Sequence, residues 1–192
     1  MKKQIEQVNI DFDDLLYGLL EVNTNFIKRE YGISLKREEI VHWNYLIDNF
    51  PRIIEVWSNW REYKEGKMME GSIEFVNDTN DLFGAKNVNI LTASHPNIEK
   101  EKDKMISDIF PGNNIVHAYN PKHTYSNNSI MIDDNLDNVS GHATNNSCPG
   151  VIFDQGYGWN QKRIEKEISG LHRVKNYNEA LQIFEHIKKY GY

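Results

Sequence analysis

The feature that most restricts this chain is a recurrence: short apolar runs of strand length, each stopping at residues able to do chemistry and each followed by a helical pattern. Val8-Asn9-Ile10 stops at Asp11-Phe12-Asp13-Asp14, Val88-Asn89-Ile90-Leu91 at Thr92, and Ser129-Ile130-Met131-Ile132 at Asp133-Asp134. Ile115-Val116-His117, Val151-Ile152-Phe153 and Leu171-His172-Arg173-Val174 are further strand candidates, and a last helical pattern runs from Tyr177 to about Lys189. Strands that alternate with helices form a mostly parallel sheet covered on both faces. Ligands of such sheets sit at the carboxyl ends of the strands, where Asp11, Thr92 and Asp133 all fall.

Between the first two strands lies a long helical stretch. Leu15 to Tyr31 carries helical spacing ended by Gly32, the apolar residues of Lys36–Phe50 and Pro51–Tyr63 recur at threes and fours, and Ile73–Phe83 closes at Gly84. A chain of 192 residues suits one domain with an insertion. The expected organisation is a three-layer, Rossmann-like α/β core of residues 1–17 and 84–192, with residues 18–83 as a small helical cap.

The net charge of −6 argues against a nucleic-acid polymer or an anionic membrane as partner, since either favours a basic face. A lone cysteine, Cys148, excludes an internal disulfide framework and a multi-cysteine zinc site, and no HExxH spacing occurs among the histidines. Polar residues Gln4, Glu6, Gln7 and Asn9 interrupt any leader-like apolar run, and no stretch approaches the length of a membrane span, so the expected location is cytoplasmic.

A carboxylate directly after a buried strand, with a second two residues on, offers one group to attack phosphorus and another to handle the proton of the leaving oxygen. Asp11 and Asp13 have that spacing. Carboxylates gathered at one edge repel one another unless a hard cation is present, and magnesium is the natural oxygen-bound choice. Asp133-Asp134 ends another strand and brings further ligands, Thr92 can donate to a phosphate oxygen, and a lysine on the following helix can neutralise developing charge.

Read in order, Val8-Asn9-Ile10-Asp11-Phe12-Asp13, Ile90-Leu91-Thr92, Lys102 and Ile130-Met131-Ile132-Asp133-Asp134 resemble the four motifs of haloacid dehalogenase-type phosphatases. Within that superfamily, the stretch Lys102 to Pro111 and the later Val151-Ile152-Phe153-Asp154-Gln155 with Tyr157 are similar to the 5'(3')-deoxyribonucleotidase group. The resemblance implies Asp11 as nucleophile and metal ligand, and Asp13 as general acid/base offering its backbone carbonyl to the metal. It implies Asp134 as principal ligand, Asp133 as orienting acid, and a phosphate site of Thr92, Ala93 and the amides near Phe12 and Asp13. Lys102 takes the charge-neutralising role, with Lys100 and Lys104 as neighbours in contention. Two departures stand out: Asp14 where the family commonly has glycine, and Ala93-Ser94-His95-Pro96 where the group tends to have serine and proline at once.

The resemblance therefore implies a magnesium-dependent phosphomonoester hydrolase acting on a nucleoside monophosphate, and a homodimer is compatible with it. A phosphatase for another small ester such as a sugar phosphate, and a non-catalytic phosphate- or metal-binding module, are the alternatives. Most of Trp43, Tyr45, Trp57, Trp60 and Tyr63 are expected to hold the cap together. Trp43 and Trp57 are the candidates to stack a nucleobase. His95, beside Thr92, reads as a loop histidine, and Lys162-Arg163, Lys166 and Lys188-Lys189 as solvated helix faces.

Overall fold

In the computed structural model, which describes residues 4–42, 44–119, 122, 128–156, 158 and 168–192, six strands form one parallel sheet. They are β1 (Gln7–Asp11), β2 (Val88–Thr92), β3 (Asn114–His117), β4 (Ser129–Asp133), β5 (Gly150–Phe153) and β6 (Leu171–Val174). Their order is β3-β2-β1-β4-β5-β6, so the chain runs outward from β1 and then returns to its other side. That switch in direction opens the crevice where sheets of this kind bind ligands. Ile10 pairs with Ile132 and Asp11 with Leu91, which sets Asp11, Thr92 and Asp133 side by side at the carboxyl edge.

The helices are α1 (Leu19–Tyr31), α2 (Tyr45–Asn49), α3 (Ile54–Ser58), α4 (Trp60–Tyr63), α5 (Ser72–Phe83), α6 (Glu99–Ile109), α7 (Leu136–Asn146) and α8 (Tyr177–Tyr190). Strand alternation explains the layers. Val8, Ile10, Ile90, Ile130 and Ile132 pack with residues of α5, α6 and α8, while Leu91, Met131 and Ile152 point the other way and meet Val139 of α7. Both faces are covered, as the near-continuous apolar strands require. Among the described residues no helix is long and apolar enough to cross a membrane.

A polar row crosses the sheet within this apolar frame. Asn114 Nδ2 donates to Asn89 Oδ1 (3.0 Å), Asn89 Nδ2 to Asn9 Oδ1 (2.8 Å) and Asn9 Nδ2 to Ser129 Oγ (2.8 Å). Asn9 is buried, so truncating it strands the amide of Asn89 and the hydroxyl of Ser129. Asn9→Ala is expected to lower stability by about 1–3 kcal/mol in urea unfolding; an unchanged midpoint would show that the row contributes nothing.

The helical stretch after β1 departs from expectation in three ways. The first helix starts at Leu19 rather than Leu15, because residues 12–17 close a tight turn in which the amides of Leu16 and Tyr17 both donate to Phe12 C=O (3.0 and 2.9 Å). The stretches Lys36–Phe50 and Pro51–Tyr63 form only short α-helices: α2 begins at Tyr45, and Asn59 separates α3 from α4, its side chain capping the next turn by accepting from Arg61 N. Finally, α5 packs on the sheet. Phe75 stacks on Tyr177 (4.9 Å between centroids) and lies 5.8 Å from Phe184, and Val76 and Phe83 join the same core. The cap has its own small core of Leu20, Phe26, Ile40, Leu46, Ile53 and Val56, among others.

Candidate active site

Asp11, Asp133 and Asp134 are fully buried at the carboxyl edge, with one oxygen of each lying within 4.8 Å of the others. Burial pushes the Asp11 carboxyl well above its ordinary range, the charge of Asp133 adds to this, and Lys122 opposes it. Asp134 is raised in the same way, first by burial and then by Asp133, and Asp133 is raised by burial against the pull of Lys122. Asp133 is oriented on both sides: its Oδ1 accepts from Asn135 N (2.7 Å) and its Oδ2 from Asn138 Nδ2 (2.9 Å).

The ammonium of Lys122 donates to Asp11 Oδ1 and lies 3.8 Å from Asp133 Oδ2. Burial alone would make Lys122 easier to deprotonate, but Asp11 and Asp133 outweigh burial and hold it charged. One lysine among three buried carboxylates leaves negative charge in excess. Asp11 Oδ2 is buried and accepts no hydrogen bond among the described residues. Hard oxygen donors, close spacing and that unsatisfied oxygen fit a divalent cation such as magnesium.

Asp13 stands slightly apart with a different set of partners. Its Oδ1 accepts from the Tyr63 hydroxyl (2.5 Å), and its Oδ2 accepts from Lys102 Nζ (2.6 Å) and, more distantly, from Thr92 Oγ1 (3.4 Å). Lys102 also donates to Ala93 C=O (3.2 Å). The lysine expected to serve the nucleophile is thus bound to the neighbouring acid, because α6 delivers its side chain to the β2 side of the edge. Lys104 pairs with Asp108 on the helix surface, and Lys100 is exposed.

Asp14, directly after Asp13, has a left-handed backbone (φ 57°). Aspartate is among the few residues with a side chain that visit this region readily. Here its carboxylate accepts from Leu20 N (2.6 Å) and its carbonyl from Gln155 Nε2, so the turn is held from both sides. Burial raises Asp14 to about 7 against the lowering effect of the Leu20 amide.

These upward shifts set a sign. A carboxyl whose pKa is higher folded than unfolded binds more protons in the folded state, so stability falls as pH rises between the two values. For Asp14 that window runs from about pH 4 to about pH 7. The metal-free protein is expected to lose more than about 1 kcal/mol across it, one pKa unit being about 1.4 kcal/mol. Thermal unfolding in chelator should show the melting temperature falling from pH 5 to pH 8, with magnesium raising it more at pH 8. A melting temperature that rises with pH and ignores magnesium would contradict this account.

A cavity of about 360 Å³ opens at Asp13 and Asp14, between cap and sheet. Asp13, Ala93, Ser94, Lys102 and Lys122 line its floor, and Leu20, Ile40, Leu46, Ile54 and Trp57 its cap side. Trp57 is fixed by its indole N–H donating to Asn23 Oδ1 (3.1 Å); Trp43, the other stacking candidate, lies outside the described residues. Thr92 is buried at the end of β2, and Ser94 Oγ is buried with no hydrogen-bond partner among the described residues. His95 also lines the cavity, its Nδ1 accepting from Asn97 N (3.2 Å). The Phe12 amide, expected to bind phosphate, donates instead to Leu91 C=O (2.9 Å), and its ring is buried against Tyr17.

No protein-family model matches the chain, nor does any curated protein sequence. By structure it is similar to a haloacid dehalogenase-like family hydrolase from Xanthomonas campestris, with TM-score 0.59, 16% identity and 97% of each chain covered. It is also similar to YfnB of Bacillus subtilis, a protein assigned as a HAD-hydrolase and solved with magnesium (TM-score 0.64, 13% identity, 94% of this chain and 99% of that one). The fold is that of the haloacid dehalogenase-like hydrolases. A Clostridium difficile protein assigned as a phosphatase shares this fold as well (TM-score 0.61, 20% identity, 95% of this chain and 99% of that one). None of the three is a nucleotidase by name, and likeness at such identity carries the fold alone.

Within this haloacid dehalogenase-like frame, the sequence reading misses Lys122, Tyr63 and Ser94. Lys122 had one usable signal: it follows β3 by a few residues, as Thr92 ends β2 and Asp11 ends β1. Tyr63 had none, since its spacing is equally that of a core residue.

Proposed function

We propose that this protein is a magnesium-dependent phosphomonoester hydrolase that works through an aspartyl-phosphate on Asp11, with a nucleoside monophosphate as its preferred substrate. The observation that carries the reading is the buried cluster of Asp11, Asp133 and Asp134, with Lys122 donating to Asp11 and itself lining the adjoining cavity. Asp11, Asp133, Asp134 and the backbone carbonyl of Asp13 are the groups that would hold the metal. Bound there, magnesium supplies neutralising charge to the nucleophile and the phosphoryl oxygens.

Asp11 attacks phosphorus in line, forming an acyl-phosphate bond as the bond to the leaving oxygen breaks, and Asp13 gives its proton to that oxygen. Asp13, now ionised, takes a proton from water, whose oxygen attacks the same phosphorus. The bond to Asp11 breaks, inorganic phosphate leaves, and both acids return to their starting states. Lys122 offsets charge on Asp11 throughout, and the hydroxyls of Thr92 and Ser94 donate to the phosphoryl oxygens in this reading. Substrate preference rests on the cap side of the cavity, where aliphatic residues and the fixed Trp57 indole present an apolar, partly flat wall suited to a nucleobase.

The test is phosphate release with magnesium from a panel of ribo- and deoxyribonucleoside monophosphates and sugar phosphates, beside Asp11→Asn. Selective release from nucleotides, lost in the variant, is the expected result. Release only from other esters would discard the substrate and keep the chemistry, and no release from any would favour a phosphate- or metal-binding module.

A further inference from the structure

The two acids that share the work of hydrolysis have separate partners. Asp11 is held by Lys122, and Asp13 by Tyr63, Lys102 and, at longer range, Thr92. Both oxygens of Asp13 are thereby engaged by donors, and the side chain is fixed in one orientation on the cavity floor. No hydrogen bond joins Tyr63 or Lys102 to Asp11 among the described residues.

Considerable structure is committed to this arrangement. Tyr63 is almost fully buried, and its ring belongs to a run of stacked aromatics: Phe12 to Tyr17 at 5.4 Å, Tyr17 to Tyr63 at 5.2 Å, and Tyr63 to Trp60 at 5.9 Å. The Tyr17 hydroxyl donates to Tyr63 C=O (2.7 Å). Space for the Tyr17 ring exists because residue 66 is glycine: a Cβ there would lie 2.6 Å from it. Lys102 is buried with its ammonium 4.8 Å from the Tyr63 ring centroid and 5.6 Å from that of Phe12, a setting in which ring faces attract a cation. The stack and the cation together hold two donors on a single carboxylate.

We propose that Tyr63 and Lys102 are positioning residues that clamp the Asp13 carboxyl where it meets the leaving oxygen, so that they serve leaving-group protonation and not attack by Asp11. The inference rests on the phosphatase reading above. It gives α4 a part in the chemistry: Tyr63 ties that helix to the general acid through one hydroxyl.

The discriminating quantity is kcat/KM for two esters that differ in their need for a general acid. It reports the steps up to and including release of the leaving group, and so excludes the later hydrolysis of the aspartyl-phosphate. An alkoxide leaves poorly without a proton, as in a nucleoside 5'-monophosphate, whereas p-nitrophenolate leaves well without one. Tyr63→Phe, which keeps the ring stack and removes the donor, is expected to lower kcat/KM for the nucleotide by about 10-fold, part of the 10²–10⁴ typical of general acids. The same variant should stay within about 2-fold of wild type on p-nitrophenyl phosphate. Lys102→Met should show the same selectivity, larger in size, and Asp13→Asn the largest.

Adding Tyr63→Phe to Asp13→Asn should cause no further loss on the nucleotide, since the clamp acts only through Asp13. Thermal unfolding checks that each variant folds. Equal losses on both esters, no loss on either, or additive losses in the double variant would overturn the clamp. A wild-type protein inactive on both esters would overturn the phosphatase reading itself, and the clamp with it.

Discussion

Replacing Asp11 by asparagine is expected to lower kcat/KM for every phosphomonoester the protein accepts by about 10⁴–10⁶-fold, the loss that follows removal of an enzyme nucleophile. The substitution keeps size and shape at a fully buried position. It also removes one of three crowded carboxylates that burial and mutual repulsion already push toward the neutral form. The variant should fold, since Asp133 stays 3.8 Å from Lys122, but should unfold earlier than wild type in chelator because the buried ammonium loses its nearest carboxylate. Steady-state kinetics beside thermal unfolding checks both halves. A folded Asp11→Asn protein that kept a tenth or more of its activity would remove Asp11 from the role of nucleophile.

The second large effect belongs to Lys122. Lys122→Met is expected to lower kcat/KM by about 10²–10³-fold, the usual scale for a group aimed at developing charge in a water-poor site. Unlike Tyr63→Phe, it should affect alkyl and aryl phosphates alike, because it serves Asp11 and the phosphoryl group and not the leaving oxygen. It should also destabilise the metal-free protein by about 3–5 kcal/mol, since it leaves Asp11 and Asp133 buried without their ammonium partner. Magnesium should restore part of that stability without restoring full activity. Chelator-dependent melting together with kinetics on both esters measures these effects. If Lys122→Met were harmless while Lys102→Met abolished turnover of both esters, the charge-neutralising role would return to Lys102.

Much of the catalytic edge was legible in the sequence because one rule places it. In a parallel sheet whatever ends a strand arrives at the ligand edge, so three apolar runs ending at Asp11, Thr92 and Asp133-Asp134 suffice to assemble the acids. Lys122 obeys the same rule only loosely: it comes a few residues after β3, in a stretch where no periodicity fixes direction. A helical lysine near the right place, Lys102, was therefore the more visible choice, and its ammonium reaches the other acid of the pair.

The helix α5 teaches a related point. Its spacing announces a helix but not the surface it will face, and Phe75, Val76 and Phe83 find the sheet and α8 instead of the cap. In the cap, apolar spacing at threes and fours persists through Ile40 and Asn59, where the backbone departs from helical geometry, so periodicity alone overstates helix length there. Asp14 shows what a motif likeness leaves unread: its left-handed backbone and the hydrogen bond its carboxylate accepts from Leu20 N appear only in the structure.

The most direct test of covalent catalysis by Asp11 uses Asp13→Asn with p-nitrophenyl phosphate. That ester can phosphorylate Asp11 without a general acid, while the missing base should stall the water step. Acid quenching, proteolysis and mass measurement are predicted to find one phosphoryl group on the peptide carrying Asp11, removable by hydroxylamine as an acyl phosphate should be. A phosphoryl group on any other peptide, or none in a variant that still releases p-nitrophenolate, would contradict the account.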